Sequence, residues 1–246
     1  MSAAHTEAGA SAIGRAKDSA RRIVRGALGP VVALLDRLGV KPDQVTWFGL
    51  AVTVAGGVLF GAGHFRIGAL VALVGSLMDS LDGGLARAQN GVTRWGAFLD
   101  STTDRIADAA LFLGVAAYYA RLPLAMMANE DVTIVLQLGP PGLREQYMDQ
   151  AFACWLNAGA AVVALTGAFL VSYSRARMEG LGAECRVGWF ERPERLAVLL
   201  GAGLFGAGSP VMPWALVLLA VLSFFTAFQR VAYARSRLRG SALGGT

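Results

Sequence analysis

Charge is scarce in this sequence, and thiols are scarcer. Of 246 residues, 16% are Asp, Glu, Lys or Arg, against 55% hydrophobic. The two cysteines, Cys154 and Cys185, have neither CxxC spacing nor a histidine partner, so no disulfide is expected. The first ten residues lack an apolar core bounded by a cleavage site, which argues against a secretory signal peptide. No long internal repeat is present. Nor does any aromatic-basic motif accompany the net charge of +5, so nucleic acid is not the expected partner.

What the sequence does contain is apolar runs, at 45–63, 67–78, 106–120, 151–173, 196–206 and 211–228. A helical bilayer crossing takes roughly 20 residues. The second, third and fifth runs are interrupted near one end by charged residues. If those charges sit at the membrane surface or face the bundle interior, six spans follow. Helices satisfy their own backbone hydrogen bonds in lipid, so an all-α polytopic membrane protein is expected. Residues 41–238 form its six-helix domain, 1–11 are read as disordered and 239–246 as a flexible tail.

The basic residues are distributed asymmetrically. With the N-terminus in the cytoplasm, eighteen fall on that side, from Arg15 to Lys41, at Arg87 and Arg94, from Arg175 to Arg195 and from Arg230 to Arg239. Arg66, Arg121 and Arg144 fall on the other. This bias places both termini in the cytoplasm, within a cell-membrane protein that meets anionic headgroups. Over 12–40, basic and apolar residues alternate at helical spacing, with Arg15, Arg22 and Arg25 opposed by Ile13, Ile23 and Val24. That pattern predicts an interfacial amphipathic helix, broken at Gly29-Pro30.

Carboxylates at membrane depth are costly, and usually functional. Asp79 and Asp82 are three apart and Asp100 and Asp104 four apart, so each pair shares a helical face. The short connection AQNGVTR, 88–94, turns the chain back and brings the pairs together near the cytoplasmic end of the bundle. Clustered carboxylates need protons or cations to neutralise them, and oxygen ligands suit Mg²⁺ or Mn²⁺. Two ions about 3.5–4 Å apart would polarise a phosphoryl group. Gly83, Gly84 and Ala86 remove bulk where a ligand could approach, and Gly96 is expected to bring the following helix close. Arg87 offers a planar donor fork for phosphate oxygens. Asp108, one turn beyond Asp104, is expected to pair with Arg105 or a buried hydroxyl and receives no catalytic role.

Residues 79–104, DSLDGGLARAQNGVTRWGAFLDSTTD, match the pattern D-x2-D-G-x2-A-R-x8-G-x3-D-x3-D at Asp79, Asp82, Gly83, Ala86, Arg87, Gly96, Asp100 and Asp104. On these residues the chain resembles the CDP-alcohol phosphotransferase family. The resemblance implies metal ligation by Asp79, Asp82 and Asp100. Asp104 would complete the metal site and act as general base toward the acceptor hydroxyl, which attacks the β-phosphorus of a CDP-lipid and expels CMP. Gly83 and Arg87 would contact the nucleotide diphosphate. Asp43 and Thr46, in KPDQVT, resemble a segment lining the cytidine pocket. Asp43 also fits a helix cap, and the two roles are compatible.

The acceptor is read from SYSRARMEG, GWFERPERLAVLL and Gln229-Arg230. Pro193 fits the first turn of the fifth expected span, whose positive end, with Arg192 and Arg195, makes an anion site. Together with Arg175 and Arg230 these arginines suit an acceptor that carries its own phosphate. Each also fits an ordinary topology anchor, and Arg177 fits that role best. The segments resemble the prokaryotic phosphatidylinositol-phosphate synthase branch, although the position of Arg175 is often Lys there. That resemblance implies transfer from CDP-diacylglycerol to myo-inositol 1-phosphate, and a homodimer. Glycerol 3-phosphate is the same-class alternative acceptor. A divalent-cation transporter or silent scaffold is the different-class alternative, but a transporter should carry its carboxylates near the midplane. The 121–150 loop is longer than the resemblance leads one to expect.

Overall fold

The computed structural model describes residues 26–89, 91, 93–185 and 187–241, and among them every regular element is a helix. Helix α1 covers 26–37, followed by α2 (Pro42–Gly61), α3 (Phe65–Ala88), α4 (Arg94–Met127), α5 (Glu130–Leu138), α6 (Pro141–Gly180), α7 (Arg192–Leu204) and α8 (Val211–Ser241). Five of them, α2, α3, α4, α6 and α8, are long and apolar enough to cross a membrane. The remaining expected span, 196–206, falls on α7. Its 13 residues rise only about 20 Å, short of a hydrocarbon core of roughly 30 Å. Both cysteines are buried and free, as the absence of a paired motif predicts.

The stretch 121–150 is largely helical, contrary to the expected loop. Helix α4 continues through Pro123 to Met127. The Asn129 side chain then accepts from the backbone N–H of Asp131 at 2.9 Å, which starts α5 as an N-cap does. Pro141 opens α6, where its missing N–H costs no helical bond. The expected interfacial helix lies outside the described residues over 12–25, as does the expected disordered segment 1–11. Its described part continues unbroken through Gly29 and Pro30, against expectation. The predicted tail begins inside α8, which reaches Ser241.

The described chain divides into two compact units. The first consists of the chain through Leu50 together with Gly75–Thr103. Its apolar centre is Val45, Leu81 and Leu85, with Leu28, Val32 and Leu35 of α1 packed against them. The absent side chain of Gly84 makes this possible, since a Cβ there would lie 3.1 Å from Val32. Gln89 donates to Asp36 at 3.0 Å and to the Val40 carbonyl at 3.1 Å, tying the end of α3 to α1 and the turn after it.

The second unit takes Ala51–Val74 and the chain from Asp104 onward. Phe60, Phe65, Leu111, Phe112, Leu199, Met212 and Leu216 are fully or almost fully buried in its core. Small residues set its helix spacing, as expected where lipid supplies little drive for helices to associate. A Cβ on Gly57 of α2 would strike the Ala110 carbonyl of α4, and one on Gly114 would strike the Gly57 carbonyl.

Candidate active site

The first unit assembles the acidic site. Ligand oxygens of Asp79 and Asp82, from α3, and of Asp100, from α4, all lie within 4.8 Å of one another. Helix α4 is started by Thr93, whose hydroxyl accepts from the Gly96 backbone N–H at 2.9 Å. The predicted role of Gly96 in close helix packing is corrected here: among the described residues, a Cβ at that position would meet only the Thr93 hydroxyl, at 3.3 Å. Close approach falls instead to Gly49, where a Cβ would lie 3.0 Å from the Met78 Cβ and 3.3 Å from the Gly75 carbonyl.

The three carboxylates differ in exposure. Asp82 is buried, Asp79 half-buried and Asp100 exposed, so the cluster runs from the protein interior to its surface. Thr46 donates to Asp82 Oδ2 at 2.5 Å, with the Pro42 carbonyl 3.2 Å away as a second acceptor. A threonine beside a buried carboxylate orients it without neutralising it. Hard oxygen donors at this spacing fit Mg²⁺ or Mn²⁺.

Asp43 has a different partner from the amide expected of a helix cap. Trp95 Nε1 donates to Asp43 Oδ2 at 3.1 Å, and it is Gln44 whose side chain accepts from the Lys41 backbone N–H at 3.0 Å. Trp95 was invisible as a site residue because it occupies one of the unrestricted positions between Arg87 and Gly96. Gly83 faces the Arg87 guanidinium, which would lie 3.6 Å from a Cβ there, and Arg87 is exposed.

The second unit holds Asp104 and the four arginines. Asp104 follows Asp100 by one turn of α4 and forms an ion pair with Arg192. Asp108 pairs across a long sequence distance rather than with Arg105 or a hydroxyl. Its Oδ2 accepts from Arg195 Nη2 at 3.1 Å and its Oδ1 lies 3.5 Å from Arg192 Nε. Both arginines stand in the first turn of α7, which Pro193 opens and where Glu191 N–H donates to Glu194 at 2.9 Å. Arg230 donates to the carbonyls of Val187 and Val171, at 2.8 and 2.6 Å, and lies 3.5 Å from Glu191. It thus ties α6, the approach to α7 and α8 together. Arg175, which is exposed, pairs with Glu179 at 2.8 Å. Arg175 and Arg195 are near enough to Arg230 to act on it electrostatically, and Arg192 and Arg195 share Asp108.

Comparison with known proteins places the chain in a family. The family model for CDP-alcohol phosphatidyltransferase matches residues 40–221, taking in both aspartate pairs and Arg175, Arg192 and Arg195 but not Arg230. Archaetidylinositol phosphate synthase of Methanothermobacter thermautotrophicus is 31% identical over 223 residues, covering 89% of this chain and 94% of the relative. Phosphatidylinositol phosphate synthase of Streptomyces avermitilis is 35% identical, over 88% of this chain and 81% of its own. The crystal structure of Mycobacterium tuberculosis phosphatidylinositol phosphate synthase with CDP-DAG bound matches with a TM-score of 0.66 and 32% identity, over 87% of this chain and 94% of that one. The same synthase in complex with manganese and citrate matches with a TM-score of 0.64 and 31% identity, over 83% and 87%. Motif, helices and relatives thus converge, and the chain belongs to the CDP-alcohol phosphatidyltransferase family as a CDP-alcohol phosphotransferase.

Proposed function

We propose that the protein transfers a phosphatidyl group from CDP-diacylglycerol to myo-inositol 1-phosphate, giving phosphatidylinositol phosphate and CMP. The observation that carries this reading is the gathering of Asp79, Asp82 and Asp100 within 4.8 Å in the family motif. The relatives named inositol phosphate synthases, and the mycobacterial structure titled with CDP-DAG, support the choice of substrates.

Asp79, Asp82 and Asp100, completed by Asp104, would hold the cations, two Mg²⁺ or Mn²⁺. When bound, the ions supply Lewis-acid polarisation of the diphosphate and charge stabilisation for the departing CMP oxygen. Thr46 keeps Asp82 in its ligating orientation. Asp43, Gly83 and Arg87 receive the cytidine diphosphate. Asp104 takes the proton from the acceptor hydroxyl as that oxygen bonds to the β-phosphorus and the bond to CMP breaks. Arg175, Arg192, Arg195 and Arg230 receive the acceptor's own phosphate through charge-assisted hydrogen bonds.

The membrane arrangement follows from the charges. Five crossings would put the arginines after α8 on the opposite side from those before α2, whereas six keep both on one side. We therefore assign α7, lengthened by the turn that carries the chain on to α8, as the sixth crossing, with both termini and the site facing the cytoplasm, in a cell-membrane protein that works as a homodimer. The described part of the N-terminal amphipathic segment lies at the membrane surface.

The test is an acceptor competition. Purified enzyme with CDP-diacylglycerol and Mg²⁺ is offered inositol 1-phosphate, glycerol 3-phosphate and free inositol together. Preferential formation of phosphatidylinositol phosphate is expected. A dominant phosphatidylglycerophosphate product would replace the acceptor assignment, and failure to release CMP with any acceptor would overturn the enzymatic reading.

A further inference from the structure

Asp108 is the charged group that the transfer chemistry leaves without work. It lies outside the family pattern, in the apolar body of α4, and is 4% exposed. A carboxylate so placed is costly unless it is paired and hydrogen-bonded. Its two oxygens go to different arginines: Oδ2 to Nη2 of Arg195 at 3.1 Å, and Oδ1 toward Nε of Arg192 at 3.5 Å. Both arginines come from one turn at the start of α7, three residues apart. One side chain on α4 therefore sets the direction of two guanidinium groups.

Arg195 shows what this orientation leaves open. It is 2% exposed, yet its Nε and Nη1 have no hydrogen-bond partner among the described residues. A guanidinium is always charged and carries five donors in a fixed plane, so burying it with two nitrogens unpaired is strongly unfavourable. An ion pair built only for stability would direct more of the fork at its carboxylate, since a bidentate arrangement is the stronger one. Here a single nitrogen is engaged and the rest is held ready. An anion reaching Arg195 would find donors already dehydrated and aimed.

The geometry points to Asp108 as a positioning residue that fixes Arg195 and Arg192 for the phosphate of the acceptor. This rests on the assignment of those arginines to the acceptor site under the proposed function. Asp108 touches neither substrate in this account. It acts by holding the guanidinium planes, so its loss should weaken acceptor binding and leave donor binding alone. A merely structural ion pair would lower stability and disturb both substrates together.

The test is steady-state kinetics of purified full-length enzyme in lipid–detergent micelles with Mg²⁺. CDP-diacylglycerol and inositol 1-phosphate are varied separately for the parent, Asp108→Asn, Arg195→Gln and the double variant. Asp108→Asn is expected to raise the acceptor KM about tenfold while the donor KM stays within about twofold. The double variant should fall well short of the product of the two single effects, because part of the action of Asp108 runs through Arg195 and the remainder through Arg192. An unchanged acceptor KM in Asp108→Asn, equal rises for both substrates, or multiplying effects in the double variant would each overturn the inference. If Asp108→Asn cannot be recovered as a monodisperse protein, Asp108→Glu takes its place. That variant keeps the charge and displaces it by one methylene, and the same rise confined to the acceptor is required. An Arg195→Gln enzyme with normal acceptor KM, or a parent enzyme that does not turn over inositol 1-phosphate, would instead overturn the functional reading itself.

Discussion

The two units handle charge in opposite ways. The first concentrates like charges: three carboxylates converge, and the buried one accepts from neutral groups, the Thr46 hydroxyl and the Gly83 backbone. The second pairs unlike charges: Asp104 and Asp108 meet Arg192 and Arg195, and Glu191 meets Arg230. A cluster of one sign is incomplete until cations arrive, whereas a network of both signs neutralises its own charge, even with Nε and Nη1 of Arg195 left unpaired. Under the proposed function, the first arrangement suits recruitment of metal and a metal-bound diphosphate, and the second suits binding of the acceptor's phosphate. Variants of the motif carboxylates, Asp104 of the second unit among them, are expected to remove activity, and variants of the arginines to shift affinity.

The largest effects belong to the carboxylates. Asp104→Asn is expected to reduce turnover by about 10³-fold or more while CDP-lipid binding stays largely intact, measured by CMP release and by direct donor binding. Normal turnover in that variant would remove Asp104 from the role of base. Chelation with EDTA should abolish CMP release and lower the Tm, with both restored by Mg²⁺ or Mn²⁺, because a ligand that binds only the folded state stabilises it. A Tm indifferent to metal would break the contrast between the units.

Intermediate effects probe the two units separately. Arg195→Ala should raise the acceptor KM about 10- to 100-fold with little change for the donor, and equal rises would show that the second unit is not specialised for the acceptor. Thr46→Val should weaken Mn²⁺ binding about tenfold by releasing Asp82 from its orienting hydrogen bond. Unchanged metal affinity there would leave that bond a packing detail. The smallest effect is expected at Arg175, an exposed residue paired with Glu179 one turn on. Such pairs contribute little, and Arg175→Lys should keep the acceptor KM within about threefold.

The first unit was legible in the sequence because its parts are close along the chain. Asp79, Asp82 and Asp100 fall on helices joined by a short turn, so helical spacing and one reversal suffice to bring them together. The second unit was only half legible. Pro193 announced the start of α7, but nothing local indicated that Arg195 would reach Asp108, 87 positions earlier. Arg105, one turn before Asp108 on α4, was the nearer cation in sequence and lost to tertiary packing. Between 121 and 150 the signals were present in Asn129 and Pro141, which are ordinary helix starters. They were outweighed by the lack of any long apolar run, a cue that marks membrane crossings and not helices in general. The break expected at Pro30 failed for a related reason: Leu28, Val32 and Leu35 gain enough packing on α3 to carry the helix past the proline.

The central claim, that Asp79, Asp82 and Asp100 form a single cation-binding site, is tested most directly by titrating Mn²⁺ into the purified protein and following bound metal by electron paramagnetic resonance. Saturable binding with spin–spin coupling between two ions, lost in Asp100→Asn, is the predicted result. Binding that is equally strong in the parent and in Asp100→Asn would contradict it.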